Sequence, residues 1–392
     1  MTADFAQAGL LLFFAVLVAI LTQRLRLPYT VGLVLAGITL AILKLPVRLQ
    51  LSKDLIFSVF LPPLVFEAAF NLQWREFRRE LPVVGLLASV GVVLAAGIVA
   101  GGMHALLGWD RGSAILFGVL IAATDPVSVI ALFKEVGIVG RLRMLLEAES
   151  LLNDATAAIA YAAVLAVLSG LHQDALGIAA DLSLAIGGGA LIGGSVAWGC
   201  MLLAGRAADR LVEITLTVLA AYSAFFLAEL CHGSGILATL TAGLVVGNSR
   251  AAGSKSDECR RSLENFWEFA AFVANSLVFI LMGMQVAHLH LQGWWLAAAV
   301  AIVLIVLGRA ATVYPLCALF APGRLRVATA HQHILVWGGL RGALALALAL
   351  ALPVGLPDHE AIVTITFAVV AFSVFAQGLT IRPLLRRLCQ AS

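Results

Sequence analysis

Apolar runs long enough to cross a bilayer recur along almost the whole chain, and they leave it few ways to fold. In hydrocarbon every backbone N–H and C=O must be satisfied inside the protein, so a spanning segment is either a helix or a strand of a closed barrel. A barrel strand needs about ten residues, a helix about twenty largely apolar ones. The runs are of the second kind. Thirteen can be marked, at about 5–22, 28–43, 54–72, 81–107, 112–134, 144–170, 175–204, 211–230, 233–248, 265–288, 294–320, 327–352 and 360–381. The runs 28–43 and 233–248 are short, so twelve is the alternative count. Only 12% of residues are charged, against about 25% in a soluble domain. The expected fold class is therefore an all-α polytopic membrane protein. The first run has no basic residues before it and is long for a signal peptide core, so it reads as a true span. The five cysteines are scattered without metal-ligand spacing.

The basic residues orient these spans. With the N-terminus outside, the inner loops hold Arg24 and Arg26; Arg75, Arg78 and Arg79; Lys134, Arg141 and Arg143; Arg206 and Arg210; Arg250, Lys255, Arg260 and Arg261; Arg324 and Arg326; and Arg382, Arg386 and Arg387. The outer loops hold only Lys44, Arg48, Lys53 and Arg111. Such a bias places the C-terminus in the cytoplasm, and it supports thirteen spans because removing one would scramble the alternation. The stretch from about Ser249 to Glu264 is polar and basic and reads as a cytoplasmic linker. The chain ends about ten residues after the last run, with no regulatory domain expected there. The glycine clusters Gly187–Gly189 and Gly193–Gly194 read as close helix contacts.

Charge inside the apolar runs is the functional signal, because an ionisable group in a membrane is costly. The stretch from Glu147 to Thr156 carries three carboxylates and Asn153. On a helix Glu149 and Asn153 share one face, and Ser150 and Asp154 share the next. Asp154 falls near mid-depth of its span. In the fifth run, Thr124-Asp125-Pro126 should break the helix, since proline removes a donor and disfavours helix at the residue before it. The freed carbonyls, that of Thr124 included, suit a small cation. A plain proline kink is the competing reading. In the twelfth run three glycines surround Arg341, in Gly338-Gly339-Leu340-Arg341-Gly342, and should weaken that helix too. Arg341 needs an acid, and Glu149 is the expected partner in a structural pair. Arg309, mid-way along the eleventh run, is expected in a structural pair with no partner assigned. Glu67, after Pro62-Pro63, reads as a residue of an entry funnel. His331 and His333 read as interfacial helix-end residues.

The broken runs occupy matching places, each the middle of a triplet: 81–170 and 294–381. Interrupted spans at corresponding positions in two halves point to a transporter with inverted repeats. Run 175–204 then serves as a linker.

These motifs resemble the sodium/proton antiporters of the NhaP/NHE type. The resemblance rests on Thr124-Asp125-Pro126, Glu149-Ser150-Leu151-Leu152-Asn153-Asp154 and Gly339-Leu340-Arg341-Gly342-Ala343, with Pro62-Pro63, Phe66-Glu67, Phe266-Trp267-Glu268 and Asn275-Ser276 beside them. It implies an NhaA/NapA-like fold in which two broken helices cross. It implies a single antiporter domain over 1–392, with core helices at 81–170 and 294–381 and dimer-forming helices at 5–72 and 211–288. It implies Na+ held by Asp154, Asp125, Ser150 and Thr124, with Glu67 reaching through water. Pro126, Gly339, Gly342, Asn153 and Arg309 would support that site, and Glu149 would pair with Arg341. Asn153 departs from the electrogenic branch, which has Asp there, and so implies electroneutral exchange. No cofactor is implied beyond the transported Na+ or Li+, or K+, and H+. The implied partners are lipid and a second copy, with no nucleic acid, in a bacterial inner membrane. A carboxylate in low dielectric is stable with either a proton or a cation, so the two compete for Asp154. A membrane-embedded aspartyl hydrolase and a cation channel are the alternatives.

Overall fold

The computed structural model describes every residue except 1, 26, 45–48, 50, 126, 128, 131–132, 134–139, 171–174, 207–208, 250–256, 290–292 and 390–392. The described residues form α1 (Thr2–Leu25), α2 (Tyr29–Ile42), α3 (Lys53–Asn71), α4 (Trp74–Leu107), α5 (Arg111–Leu120), α6 (Arg141–Leu168), α7 (Ala175–Ala204), α8 (Arg210–Leu230), α9 (Gly235–Asn248), α10 (Asp257–Ala287), α11 (Trp295–Ala318), α12 (Thr329–Trp337), α13 (Ala343–Leu350) and α14 (His359–Leu388). Nine of these are long and apolar enough to cross a membrane, and α2, α5 and α9 are shorter apolar helices. The all-helical expectation holds: twelve of the expected runs have a helix or a pair of half-helices, and of the run 112–134 the described residues give the helix Arg111–Leu120. Several helices outrun their apolar cores: α4 begins at Trp74, not near 81, and α10 begins at Asp257, not near 265. Hydropathy marks the part of a helix in hydrocarbon, and a helix continues into the interface where charges are tolerated. The expected Ser249–Glu264 linker is thus helical from Asp257 onward.

The chain divides into two compact units. One comprises Met1–Ile56, Pro82–Asn153 and Asn275–Ser392; the other comprises Phe57–Leu81 and Asp154–Ala274. In the second, α9 is the central element, packed on α3, α7 and α8. Its neighbours come close because small residues face it. A Cβ on Gly193 of α7 would strike the Ala238 backbone, and one on Gly189 would meet the Ser234 carbonyl at 2.8 Å. The glycine-cluster expectation is met at these two positions, four apart and so on one face of α7. Pro62 and Pro63 explain a π-turn at Ile56–Phe60 in α3. Lacking an N–H, Pro63 cannot bond the Val59 carbonyl four residues back, and the Tyr222 hydroxyl donates to it instead at 3.0 Å. Glu67 follows on the same helix, half-buried. Asn71 Nδ2 donates to its Oε1 at 2.7 Å.

In the first unit, α4 packs on α5 and α11, α12 on α11 and α14, and α13 on α14. This places both broken helices among the elements of their own triplets. α6 enters this unit as far as Asn153; from Asp154 onward it belongs to the other.

Candidate functional site

The site is built where two helices stop. α5 starts from Asp110, whose Oδ2 accepts from the N–H groups of Gly112 and Ser113, as an N-cap should. It ends at Leu120, four residues short of Thr124, because the chain must already be extended when it reaches Asp125. Pro126, expected to enforce the break, lies outside the described residues. α12 ends at Trp337, and the chain runs extended through Gly339 to Gly342 before α13 begins. The two extended stretches pair antiparallel: the Asp125 N–H donates to the Leu340 carbonyl at 2.7 Å. This pairing satisfies backbone groups that a helix would otherwise satisfy, and it brings Asp125 against Gly342. A Cβ at Gly342 would fall on the Asp125 carboxyl group. Gly342→Ala is therefore expected to lose about 1–3 kcal/mol by overpacking and to displace Asp125. Both effects are read from the melting midpoint in detergent together with transport; a variant like the wild type in both would show that the contact is not tight.

Each half-helix ends on carbonyls without intrahelical partners, and a helix C-terminus carries partial negative charge. A guanidinium meets each end. Arg341 Nη1 donates to the Ala122 and Ala123 carbonyls at 2.8 and 3.0 Å, beyond α5. Arg309 Nη2 donates to the Leu335 carbonyl at 2.9 Å, in the last turn of α12. Gly339 leaves room for Arg309, since a Cβ there would lie 2.8 Å from its Nε.

The expected Glu149–Arg341 pair is corrected here. Glu149 is paired with Arg309: Nη1 donates to Oε1 at 2.7 Å and Nη2 to Oε2 at 3.2 Å. Both residues are buried, and the bidentate geometry is the one that best offsets the loss of water. Arg341 sits inside the extended break, where its reach is used on the carbonyls of the other break.

α6 supplies the next layer. Asn153 is fully buried. Its Oδ1 accepts from the Thr124 N–H at 3.2 Å, and its Nδ2 donates to Thr124 Oγ1 at 2.6 Å and to Glu149 Oε1 at 3.2 Å. Thr124 Oγ1 and Ser150 Oγ are 3.0 Å apart. Asp125 Oδ1 accepts from the Val127 N–H at 2.9 Å. Thr124, Asp125, Glu149, Ser150, Asn153, Arg309, Gly339, Arg341 and Gly342 thus belong to one compact unit. Asp154 follows Asn153 on α6, half-buried and four residues from Ser150, and belongs to the second unit with Glu67. Sequence reasoning missed Ser373 and Gln377 of α14, which hold the Arg341 N–H and the Trp337 carbonyl. The signal was present as two polar side chains four apart in the last apolar run.

Discontinuous helices meeting at extended breaks, with carboxylates and capped carbonyls at the meeting point, define a secondary transporter of the inverted-repeat class. The chain belongs to the sodium/hydrogen exchanger family: the family model described as "Sodium/hydrogen exchanger, transmembrane" matches residues 10–387. It is 36% identical over 365 residues to the Na(+)/H(+) antiporter ApNhaP of Aphanothece halophytica, covering 93% of this chain and 70% of that protein. It is 30% identical over 399 residues to the Na(+)/H(+) antiporter NhaH of Halobacillus aidingensis, covering 98% of each. The fold is similar to the structure of the sodium proton antiporter MjNhaP1 from Methanocaldococcus jannaschii at pH 8, with a TM-score of 0.76 at 19% identity over 99% of both chains. The expected transporter fold is borne out by that likeness.

Proposed function

We propose that this chain is an antiporter that exchanges Na+ for H+ across a membrane by alternating access, one for one. Membership of the sodium/hydrogen exchanger family and the antiporters among its relatives support the exchange. They favour neither the hydrolase nor the channel. The assignment of residues follows the resemblance: Asp154 and Asp125 carry the exchanged charge, Ser150 and Thr124 offer oxygen ligands, and Glu67 attracts the cation through water. Li+ and K+ are competing cargoes. In this reading, helices at 81–170 and 294–381 form the ion-carrying core, 175–204 links, and 5–72 and 211–288 form a homodimer. The membrane is a bacterial inner membrane, with the N-terminus outside and the C-terminus in the cytoplasm.

The observation that carries the stoichiometry is the state of Asn153. It is neutral at every working pH, and both ends of its amide are committed, to Thr124 and to Glu149. It neither carries a proton nor supplies a negative charge in place of a carboxylate. Glu149 is committed to Arg309. With Asp125 constant in charge, one Na+ replaces one proton on Asp154 and no net charge moves. The expected result is Na+-driven proton flux in liposomes whose rate stays flat as the membrane potential is set by K+ and valinomycin. A rate rising steeply with potential would make the exchange electrogenic, with Asp125 titrating as well. No Na+-driven, Li+-driven or K+-driven flux would overturn the antiport reading itself.

A further inference from the structure

The two helix breaks are latched in the same manner, and only one latch lies in the motifs already assigned. α5 is the middle element of the triplet α4 to α6, and the third member, α6, holds its break through Asn153 on the Thr124 N–H. The α12–α13 break is the middle of the second triplet, α11 to α14. There too the third member holds it. Ser373 Oγ accepts from the Arg341 N–H at 2.8 Å and donates to Gln377 Oε1 at 2.7 Å. Gln377 Nε2 donates to the Trp337 carbonyl at 3.2 Å. In each triplet the latching helix uses two polar side chains one turn apart, Ser150 with Asn153 on α6 and Ser373 with Gln377 on α14.

The second latch closes a circuit across the break. Trp337 is the last residue of α12, and Arg341 lies two residues before α13. Ser373 and Gln377 therefore tie both lips of the gap to one helix. They stand in a π-turn, Ser373–Gln377, the kind of local widening that recurs at functional sites. Both are buried, 1% and 6% exposed, where an unmet N–H or C=O is costly. What they hold is next to the ion site. Leu340, adjacent to Arg341, accepts the Asp125 N–H, and Arg341 caps the Ala122 and Ala123 carbonyls.

We propose that Ser373 and Gln377 are positioning residues for cation binding, holding the second break in the conformation that presents Asp125 to the cation. The proposal rests on the antiport reading above. Its test is Na+-dependent proton flux in proteoliposomes for the wild type, Ser373→Ala, Ser373→Thr and Gln377→Met, with KM for Na+ separated from the maximal rate. A parallel measurement follows amide hydrogen exchange over residues 338–342. Ser373→Ala is expected to raise KM by ~10-fold, the size of one buried hydrogen bond, with little change in maximal rate and faster amide exchange. Ser373→Thr keeps the hydroxyl and should restore both readings. Gln377→Met keeps the Ser373–Arg341 bond and should give a smaller rise in KM, and it serves as the reading if Ser373→Ala folds poorly. Unchanged KM in Ser373→Ala and Gln377→Met, or equal defects in Ser373→Thr and Ser373→Ala, would overturn the positioning role. Absence of flux in the wild type would overturn the antiport reading instead, and unaltered amide exchange in Ser373→Ala would then remove the latch as well.

Discussion

Asp154→Asn is expected to abolish Na+-driven proton exchange while leaving the protein folded. The substitution keeps size and shape and removes only the charge and the proton-carrying oxygen. Asp154 follows the buried amide of Asn153 on α6, four residues from Ser150, and is half-buried. Its replacement should spare the hydrogen bonds that Asn153 and Ser150 make to Thr124. Transport depends on a group that exchanges a cation for a proton, and an amide neither takes up that proton nor supplies the negative charge that offsets the cation's. Removing a charge-assisted interaction of this kind weakens binding by about 100-fold. Flux at several values of pH, with the melting midpoint in detergent as the folding control, decides it. Wild-type flux in the Asn variant would remove Asp154 from the site and leave Asp125 as the exchanging carboxylate.

The second large effect is on stability. Glu149→Ala or Arg309→Ala each strands a buried charge, and breaking such a pair costs about 3–5 kcal/mol. Arg309 also bonds the Leu335 carbonyl, so its removal uncaps α12 as well. The double variant Glu149→Gln with Arg309→Met leaves no stranded charge at the pair and should recover part of the fall in melting midpoint seen in the singles. The partner assignment is tested by the same design with Arg341. Glu149→Gln with Arg341→Met should give no recovery over Arg341→Met, because Arg341 serves the Ala122 and Ala123 carbonyls. Recovery with Arg341 and none with Arg309 would reverse the assignment.

That contrast marks where the sequence stopped being informative. Residue order alone settled that the chain spans a membrane as helices, since thirteen apolar runs leave no other way to satisfy the backbone. It located both breaks, because proline and glycine act on the backbone of their own neighbours and need no partner to do so. It put Glu149 with Asn153 and Ser150 with Asp154 on shared faces, because helix spacing is a local property. It also carried the resemblance, which depends on short contiguous motifs. The partner of Glu149 was beyond it. Arg309 and Arg341 both lie mid-way along apolar runs, and spacing on α6 says nothing about which of two other helices comes within 2.7 Å. The early end of α5 at Leu120 was equally hidden, because the strand-like pairing of Asp125 with Leu340 joins residues far apart in the chain. Ser373 and Gln377 passed as ordinary polar residues, since an uncharged side chain in an apolar run is cheap enough to need no explanation. Only their bonds to Arg341 and Trp337 give them a role. Local backbone chemistry and burial were written in the order of residues; which buried charge meets which depends on the packing of helices, and the tertiary structure alone decided it.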